Sequence, residues 1–314
     1  MRGGLVTLGE ALGVVAATDP GPLAPGAALR MDFAGAEATV AIGVRRLGHD
    51  SAWVGCLGDD AVGVMIRDRL RAERVDLSRS RIDPERPTGL MLRERRTADR
   101  IRVTYYRRDL AGSRLSATEI DAGQIAAAGV LHITGITPAL SVSAREAVHA
   151  AVGIAVEAGV PVALDINYRR ALWTAEDAAA ELSKLVTRAD IVFAGVEEAA
   201  LLVPPDAPAV MAEALAALGP SQVVLKLGAE GALAYAGGAV IIQPPFTVTA
   251  VDPVGAGDAF VAGYLAGVLD GGSIRERLHL AALCGAFAVS VTGDWTGLPF
   301  RHELGLLDGA DIQR

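Results

Sequence analysis

Short, continuously apolar runs alternate with alanine-rich segments of helical periodicity through the middle of the chain. The runs GVLHITG (129–135) and VPVALDIN (160–167) flank a predicted helix over 141–158, and ADIVFAG (189–195) and SQVVLKLG (221–228) follow after further helical segments. A strand that is apolar throughout is buried on both faces, which is typical of parallel strands joined by helices. The sequence therefore predicts a three-layer α/β sandwich with a mainly parallel central sheet.

Composition and charge exclude several classes of protein. The 314 residues have a hydrophobic fraction of 51% and a formal net charge of −8. That fraction can fill a large core, which excludes general disorder, and an acidic chain is a poor binder of nucleic acid. The longest uncharged stretch, 122–144, contains polar residues and glycines, so we expect no membrane span and no membrane partner. Cys56 and Cys284 match neither a disulfide framework nor a zinc site, and no targeting signal stands out, which favours a cytoplasmic location.

Two regions interrupt the α/β rhythm. Residues 25–34 form a short extended piece, and residues 88–107 alternate polar and apolar side chains around a polar turn at 97–99. Such alternation predicts half-exposed antiparallel strands. We expect these pieces to form a small β-sheet lid on a single domain that spans 1–314, with an ordinary surface hairpin as the alternative.

The segment AVDPVGAGDAFVAGYLAGVL (250–269) places two glycines directly before a predicted helix of small apolar residues. Gly255 and Gly257 let the backbone turn tightly, and the first N–H groups of a helix are unpaired and carry positive partial charge. This combination predicts a phosphate cradle, with Asp258 at its mouth as a candidate general base. The helix end is expected to favour the ionised form of Asp258. The alternative is a tight turn in which Asp258 only caps the helix.

The motif DPVGAGDAF resembles the C-terminal signature of the ribokinase-like (PfkB) carbohydrate kinases. The resemblance covers nearly the whole chain, through AGAEATVAIGVRRLG (34–48), WVGCLGDDAVG (53–63), ALDINYRRALW (163–173) and VVLKLGAEGALAY (223–235). Within the family, PTGLMLRERR, YYRRDLAGSRLS and TGITPAL are most similar to segments of 2-keto-3-deoxygluconate kinases. The resemblance implies transfer of the γ-phosphate of ATP, with Mg²⁺, to a hydroxyl of 2-keto-3-deoxygluconate, which gives the 6-phosphate. A requirement for a monovalent cation is left open.

The resemblance also implies roles for single residues. Asp258 would be the general base, and the backbone N–H groups of Gly255, Ala256 and Gly257 would form the anion hole. The implied substrate contacts are Gly35, Tyr105, Arg107, Ile136, Arg169 and Asp294. The implied ATP contacts are Asn167, Lys226, Gly228 and Gly231. Glu198 matches the acidic position of the magnesium motif of the family, but Gly195 replaces its asparagine, so only an indirect metal role is implied.

Residues 86–114 contain nine arginines and three acidic residues, although the chain as a whole is acidic. Forked guanidinium groups suit the carboxylate of an acidic sugar, and a basic patch steers an anion towards it. Tyr105 and Arg107 are two residues apart, so on a strand they face the same side. A solvated lid surface is the alternative for most of these arginines.

Several functions fit these patterns. The leading hypothesis is a sugar-acid kinase, and the nearest alternative is a neutral-sugar kinase of the same family, such as a fructokinase or a ribokinase. A catalytically silent nucleotide or sugar sensor would not need the carboxylate of Asp258, and a nicotinamide oxidoreductase would need a glycine fingerprint that the chain lacks. Apolar lid strands often pair between protomers, so we expect a homo-oligomer through 25–34 and 88–107.

Overall fold

The computed structural model describes residues 3–97 and 100–307. The strands are β1 (Leu5–Leu8), β2 (Leu12–Ala17), β3 (Leu29–Ala34), β4 (Ser51–Val54), β5 (Cys56–Gly58), β6 (Arg81–Asp83), β7 (Leu90–Thr97), β8 (Arg100–Tyr106), β9 (Val130–Thr134), β10 (Val162–Asp165), β11 (Ile191–Gly195), β12 (Gln222–Lys226), β13 (Ala232–Ala236) and β14 (Ala239–Gln243). The helices are α1 (Ala36–Arg46), α2 (Ala61–Ala72), α3 (Ala122–Ala126), α4 (Val142–Ala158), α5 (Ala175–Val186), α6 (Val196–Ala199), α7 (Pro208–Ala216), α8 (Ala256–Leu269) and α9 (Ile274–Val289). Residues 98 and 99 of the predicted lid turn, and the side chains of Arg95, Arg96 and Arg100, lie outside the description.

An eight-stranded sheet forms the centre of the described fold, in the order β14-β13-β12-β11-β10-β9-β1-β4. Neighbours from β12 to β4 are parallel, and β13 and β14 extend the β12 edge in antiparallel fashion. The predicted, mainly parallel sheet is therefore confirmed. Because parallel strands end at the same edge, the carboxyl ends of β1, β9, β10, β11 and β12 bring distant parts of the chain together there.

Helices cover both faces of this sheet and give it two hydrophobic cores. Neighbouring strand residues alternate between the cores: Ala163 packs on the side of α1, α8 and α9, whereas Leu164 packs on the side of α4, α5 and α7. This alternation explains why the strands are apolar throughout. Helix α8 is buried along most of its length, from Ala259 to Gly267, and its small side chains let α1 and α9 approach it.

A second sheet of four strands, in the order β3-β2-β7-β8, stands beside the main sheet. It contains the two predicted lid segments and adds β2, which we did not predict because its apolar residues look like those of a core strand. Leu12, Val14 and Met91 on one face form a small core of their own. The opposite face carries Leu29 and Met31, which are exposed. We call this four-stranded sheet the lid sheet.

Local capping explains where the predicted helices begin. The Ser141 hydroxyl accepts the N–H of Ala144 at 3.0 Å and starts α4, and the Thr174 hydroxyl accepts the N–H of Asp177 at 3.1 Å and starts α5. Such caps stabilise a helix by about 1 kcal/mol. None of the described helices has both the length and the apolar character needed to cross a bilayer.

Cys56 and Cys284 are free thiols inside the protein. Burial raises the pKa of Cys56 to about 11 and that of Cys284 to about 12. Both side chains are therefore protonated at neutral pH and fill space in the core.

Candidate active site

Asp258 lies in the first turn of α8, behind a glycine that no other residue can replace without strain. Gly255 precedes the helix with a φ of 78°, in the left-handed region. A Cβ atom at this position would lie 1.9 Å from the carbonyl oxygen of Asp294. The turn is therefore held tightly against the segment that carries Asp294, as only a residue without a side chain allows.

The same turn presents backbone donors that lack partners. Within the described residues, no protein acceptor bonds to the N–H groups of Gly255 and Gly257, and the N–H of Ala256 makes only a long contact of 3.4 Å with the Pro253 carbonyl oxygen. A Cβ atom on Gly257 would lie 3.7 Å from the ammonium nitrogen of Lys226, so a positive charge lies next to the turn. Unpaired N–H groups, a helix N-terminus and an ammonium together suit the phosphates of a nucleotide.

Burial sets the protonation behaviour of Asp258. Desolvation raises the pKa of its carboxyl to about 6, against the charges of Arg169 and Lys226, which lower it, and Glu37 raises it further. The Nδ2 atom of Asn167 donates to Oδ1 of Asp258 at 3.4 Å. Desolvation thus outweighs the helix end, which we expected to favour the ionised form. A group with this pKa is still mostly ionised at pH 7 and can accept a proton.

Lys226 is held in place by an ion pair and is not a solvated lysine. From the end of β12, its Nζ atom lies 2.8 Å and 2.9 Å from the two carboxylate oxygens of Asp165 at the end of β10. Burial alone would lower the pKa of Lys226, but the carboxylates of Asp165, Glu198 and Asp258 outweigh that effect and raise it. The ammonium therefore stays charged at the carboxyl edge of the sheet.

Glu198 has a structural task that the magnesium motif does not indicate. Its Oε2 atom accepts the N–H of Gly195 at 2.7 Å, and its Oε1 atom accepts the N–H of Tyr168 at 3.0 Å. The carboxylate thereby caps α6 and fixes the loop after β10, in which Asn167 has a φ of 39°. No cluster of three or more His, Cys, Asp or Glu side chains suited to a metal occurs in the described part of the chain. With both of its oxygens engaged by backbone N–H groups, Glu198 would support a bound Mg²⁺ ion indirectly and not as a ligand.

Arg107 and Tyr105 lie together, as predicted, but Arg107 already has a partner. Its guanidinium carbon is 5.3 Å from the centre of the Tyr105 ring, and its Nη2 atom forms an ion pair with Glu10, which is 3% exposed. Gly35 packs against the backbone of Glu10, where a Cβ atom would lie 2.5 Å from the carbonyl oxygen. The group that closely approaches Gly35 is thus the protein backbone, and there is no open space on the side where its Cβ atom would lie.

Two other predicted substrate residues follow strands at the carboxyl edge of the main sheet. Ile136 is buried just after β9, and Arg169 is exposed after β10, where its charge acts on Asp258. Burial raises the pKa of Asp294 to about 7, while Arg93 lowers it and Asp258 raises it. These electrostatic effects place Asp294 and Asp258 in one charged environment.

The remaining predicted ATP residues, Gly228 and Gly231, lie in the turn between β12 and β13. Open space surrounds Gly228, and it follows Lys226 closely in the chain. Gly231 instead faces the backbone carbonyl of Gln243 at the end of β14. Gly228 therefore has open space beside it near the carboxyl edge of the main sheet, whereas Gly231 does not.

Among the buried carboxylates at the site that were not predicted are those of Glu37 and Asp165. Glu37 of α1 is 1% exposed, and its Oε1 atom accepts the hydroxyls of Thr134 at 2.6 Å and Thr137 at 2.7 Å. Asp165 is 1% exposed and partners Lys226. The same sequence feature could have indicated both residues. Each is a charged residue inside an otherwise apolar run, and such a residue must have a buried partner.

Comparisons with known proteins identify the family to which the chain is similar. A family model for the "pfkB family carbohydrate kinase" matches residues 3–301. The 2-dehydro-3-deoxygluconokinase of Bacillus subtilis is 35% identical over 302 residues, which cover 95% of this chain and 93% of that protein. The enzyme of the same name from Thermoproteus tenax is 36% identical over 303 residues, covering 95% and 92%.

A solved structure is also similar over the full length. A protein assigned as ribokinase II from Escherichia coli, in complex with ATP and Mg²⁺, superposes with a TM-score of 0.90 at 26% identity and covers 98% of this chain and 99% of that chain. This similarity and the family match confirm the ribokinase-like fold predicted from the sequence. The chain belongs to the PfkB family of carbohydrate kinases.

Proposed function

We propose that this kinase transfers the γ-phosphoryl group of ATP to 2-keto-3-deoxygluconate, also named 2-dehydro-3-deoxygluconate, and forms the 6-phosphate. The observation that carries the proposal is the Asp258 carboxylate, set beside a turn in which the N–H groups of Gly255 and Gly257 have no acceptor among the described residues. The two relatives described above, which bear the name of this activity, support the choice of substrate.

In the proposed reaction, Asp258 accepts the proton of the acceptor hydroxyl while that oxygen forms a bond to the γ-phosphorus. The bond from the γ-phosphorus to the bridging oxygen of ADP breaks at the same time. Backbone N–H groups of Gly255, Ala256 and Gly257 receive the transferring group, with the ammonium of Lys226 nearby. Such a transfer needs alignment and charge neutralisation more than a strong base, so a carboxylate with a pKa of about 6 is adequate.

Bound Mg²⁺ supplies further neutralisation of phosphate charge. We assign Glu198 an indirect part, because both of its oxygens hold backbone N–H groups around the loop of Asn167. The proposed ATP contacts are Asn167, Lys226, Gly228 and Gly231. A comparison of turnover in Na⁺ and K⁺ buffers decides whether a monovalent cation belongs to the cofactors.

For the sugar acid, we propose that Arg107 binds the carboxylate. Its Nη2 atom is held by Glu10, and its Nε atom is buried without a hydrogen-bond partner among the described residues. A guanidinium held at one edge is pre-oriented to donate from another. The other proposed substrate contacts are Gly35, Tyr105, Ile136, Arg169 and Asp294.

A coupled ADP-release assay with the keto-deoxy acid, fructose and ribose tests the reaction. Asp258→Asn is expected to remove turnover while calorimetry still detects binding of ADP and of the sugar acid. Turnover that persists in this variant would contradict the mechanism. Turnover of neutral sugars alone would favour the neutral-sugar kinase, and binding without turnover in the unmodified protein would favour the sensor.

The role of Arg107 has its own test. Arg107→Met is expected to raise KM for the keto-deoxy acid about tenfold or more, because it removes a charge-assisted contact, and to leave KM for any neutral substrate nearly unchanged. Arg102→Met is the matched control, since the Arg102 side chain is 75% exposed on the same sheet. Equal effects of Arg107→Met on both substrate classes would contradict the acid-binding role.

We also propose that 1–314 forms one domain and that the protein is a homo-oligomer through the lid sheet. Leu29 and Met31 are 49% and 45% exposed on the face of that sheet that lies away from its small core. A second copy would cover this apolar face. Met31→Asp is expected to convert the oligomer to a monomer in light scattering, and a monomeric unmodified protein at micromolar concentration would contradict the proposal.

A further inference from the structure

Arg93 reaches from the lid sheet into the main body of the protein. It lies on β7, beside Ala16 of β2 and Val103 of β8. Its Nη2 atom lies 2.5 Å from Oδ1 and 2.6 Å from Oδ2 of Asp252. Arg93 is 8% exposed and Asp252 is 1% exposed, so the ion pair is buried. In the sequence, Arg93 is one of the nine arginines of 86–114 and nothing distinguishes it from the others.

Asp252 in turn joins two segments of the candidate active site. Its Oδ1 atom accepts the N–H of Val254 at 3.3 Å, just before the turn of Gly255. Its Oδ2 atom accepts the N–H of Gly293 at 3.2 Å, just before Asp294. One carboxylate therefore connects the anion-hole turn to the neighbouring segment.

We propose that Arg93 is a positioning residue for phosphoryl transfer: by holding Asp252, it keeps the anion-hole turn and the Asp294 segment in register with Asp258. The inference rests on the proposed function. A buried carboxylate that loses its cation either takes up a proton or moves towards water. Either change weakens the two backbone contacts that Asp252 accepts, and a small misplacement of reacting groups lowers the rate strongly.

The guanidinium of Arg93 is already engaged by carboxylates of the protein itself. Its Nη2 atom serves both oxygens of Asp252, and its Nη1 atom lies 4.0 Å from Oδ2 of Asp294. Only 9% of the side chain is exposed. Arg93 thus differs from Arg107, and its loss should alter turnover rather than substrate affinity.

Steady-state kinetics of Arg93→Met, Arg93→Lys and Arg102→Met test the inference. Arg93→Met is expected to lower kcat about 100-fold, comparable to the loss of one anion-hole donor, with KM for the sugar changed less than about threefold. Arg93→Lys is expected to recover part of kcat, because an ammonium restores the charge without the planar shape. Arg102→Met should behave as the unmodified protein does.

The double variant Arg93→Met with Asp252→Asn distinguishes a loss of positioning from a loss of stability. It also tests the inference if Arg93→Met alone fails to fold. It removes both charges, so no unpaired ion stays buried and thermal stability should recover. We expect kcat to stay low, because the connection through Asp252 is lost. Recovery of both kcat and Tm in this variant would overturn the inference, as would a raised KM with unchanged kcat in Arg93→Met.

Failure of the proposed substrate is distinguishable from failure of this inference. The unmodified protein is first assayed with the keto-deoxy acid and with fructose and ribose. If only a neutral sugar is turned over, the substrate proposal fails, and the same four variants are then compared with that sugar.

Discussion

Replacing Asp258 by Asn is expected to make the protein more stable while it removes turnover. Burial raises the pKa of this carboxyl from 3.8 to about 6. Because the folded pKa lies above the unfolded one, the ionised carboxylate destabilises the folded state, and this destabilisation grows as the pH rises through that window. Two pKa units correspond to about 3 kcal/mol at most, and partial exposure to water reduces this to about 1–2 kcal/mol.

Differential scanning calorimetry at pH 8 and pH 5 checks this prediction. At pH 8 the Asp258→Asn variant should melt about 2–4 °C higher than the unmodified protein. At pH 5 the folded carboxyl is largely protonated, so the gain should fall to about half. Asp68→Asn is the control, since the Asp68 side chain is 63% exposed and its replacement should leave Tm unchanged. No gain at pH 8, or a larger gain at pH 5, would refute the reasoning.

Further predictions concern the turn, its neighbouring ion pair and the pH profile. Gly255→Ala should lower kcat at least about 100-fold, because the new Cβ atom would meet the Asp294 carbonyl; unchanged kinetics would contradict the cradle. Lys226→Met should destabilise the fold by about 3–5 kcal/mol in denaturant titrations, because Asp165 stays buried without a cation, whereas Lys184→Met, at a side chain that is 65% exposed, should change little. The kcat/KM profile should fall about tenfold per pH unit below about 6, as the base becomes protonated.

The sequence predicts the strands of the main sheet well because each strand must pack apolar side chains against the cores on both faces of the sheet. Residues 160–167, for example, are apolar where Ala163 and Leu164 face opposite layers. Strand β2 follows β1 after a short gap in one apolar stretch, and nothing in its composition says that it belongs to another sheet. Assignment of a strand to a sheet depends on pairing with distant residues, which a local pattern does not contain.

The candidate site was predictable to the extent that its chemistry is local. Gly255 and Asp258 belong to one turn, so their spacing alone indicates a cradle and a base. Arg93 and Asp252 are 159 positions apart, and neither looks unusual beside its own neighbours. Their partnership, like that of Glu10 with Arg107, exists only once the lid sheet is packed against the main sheet.

The order of strands in the main sheet has a consequence for synthesis of the protein. Strand β1 is made first, yet it lies in the interior of the sheet and waits for β4 and β9 before both of its edges are filled. Helix α8, which carries Asp258, is translated later than every strand of that sheet. A ribosome-bound fragment that stops at β14 thus contains every strand of the main sheet but lacks α8 and α9, so the core on their side of the sheet stays open until the C-terminal helices are made.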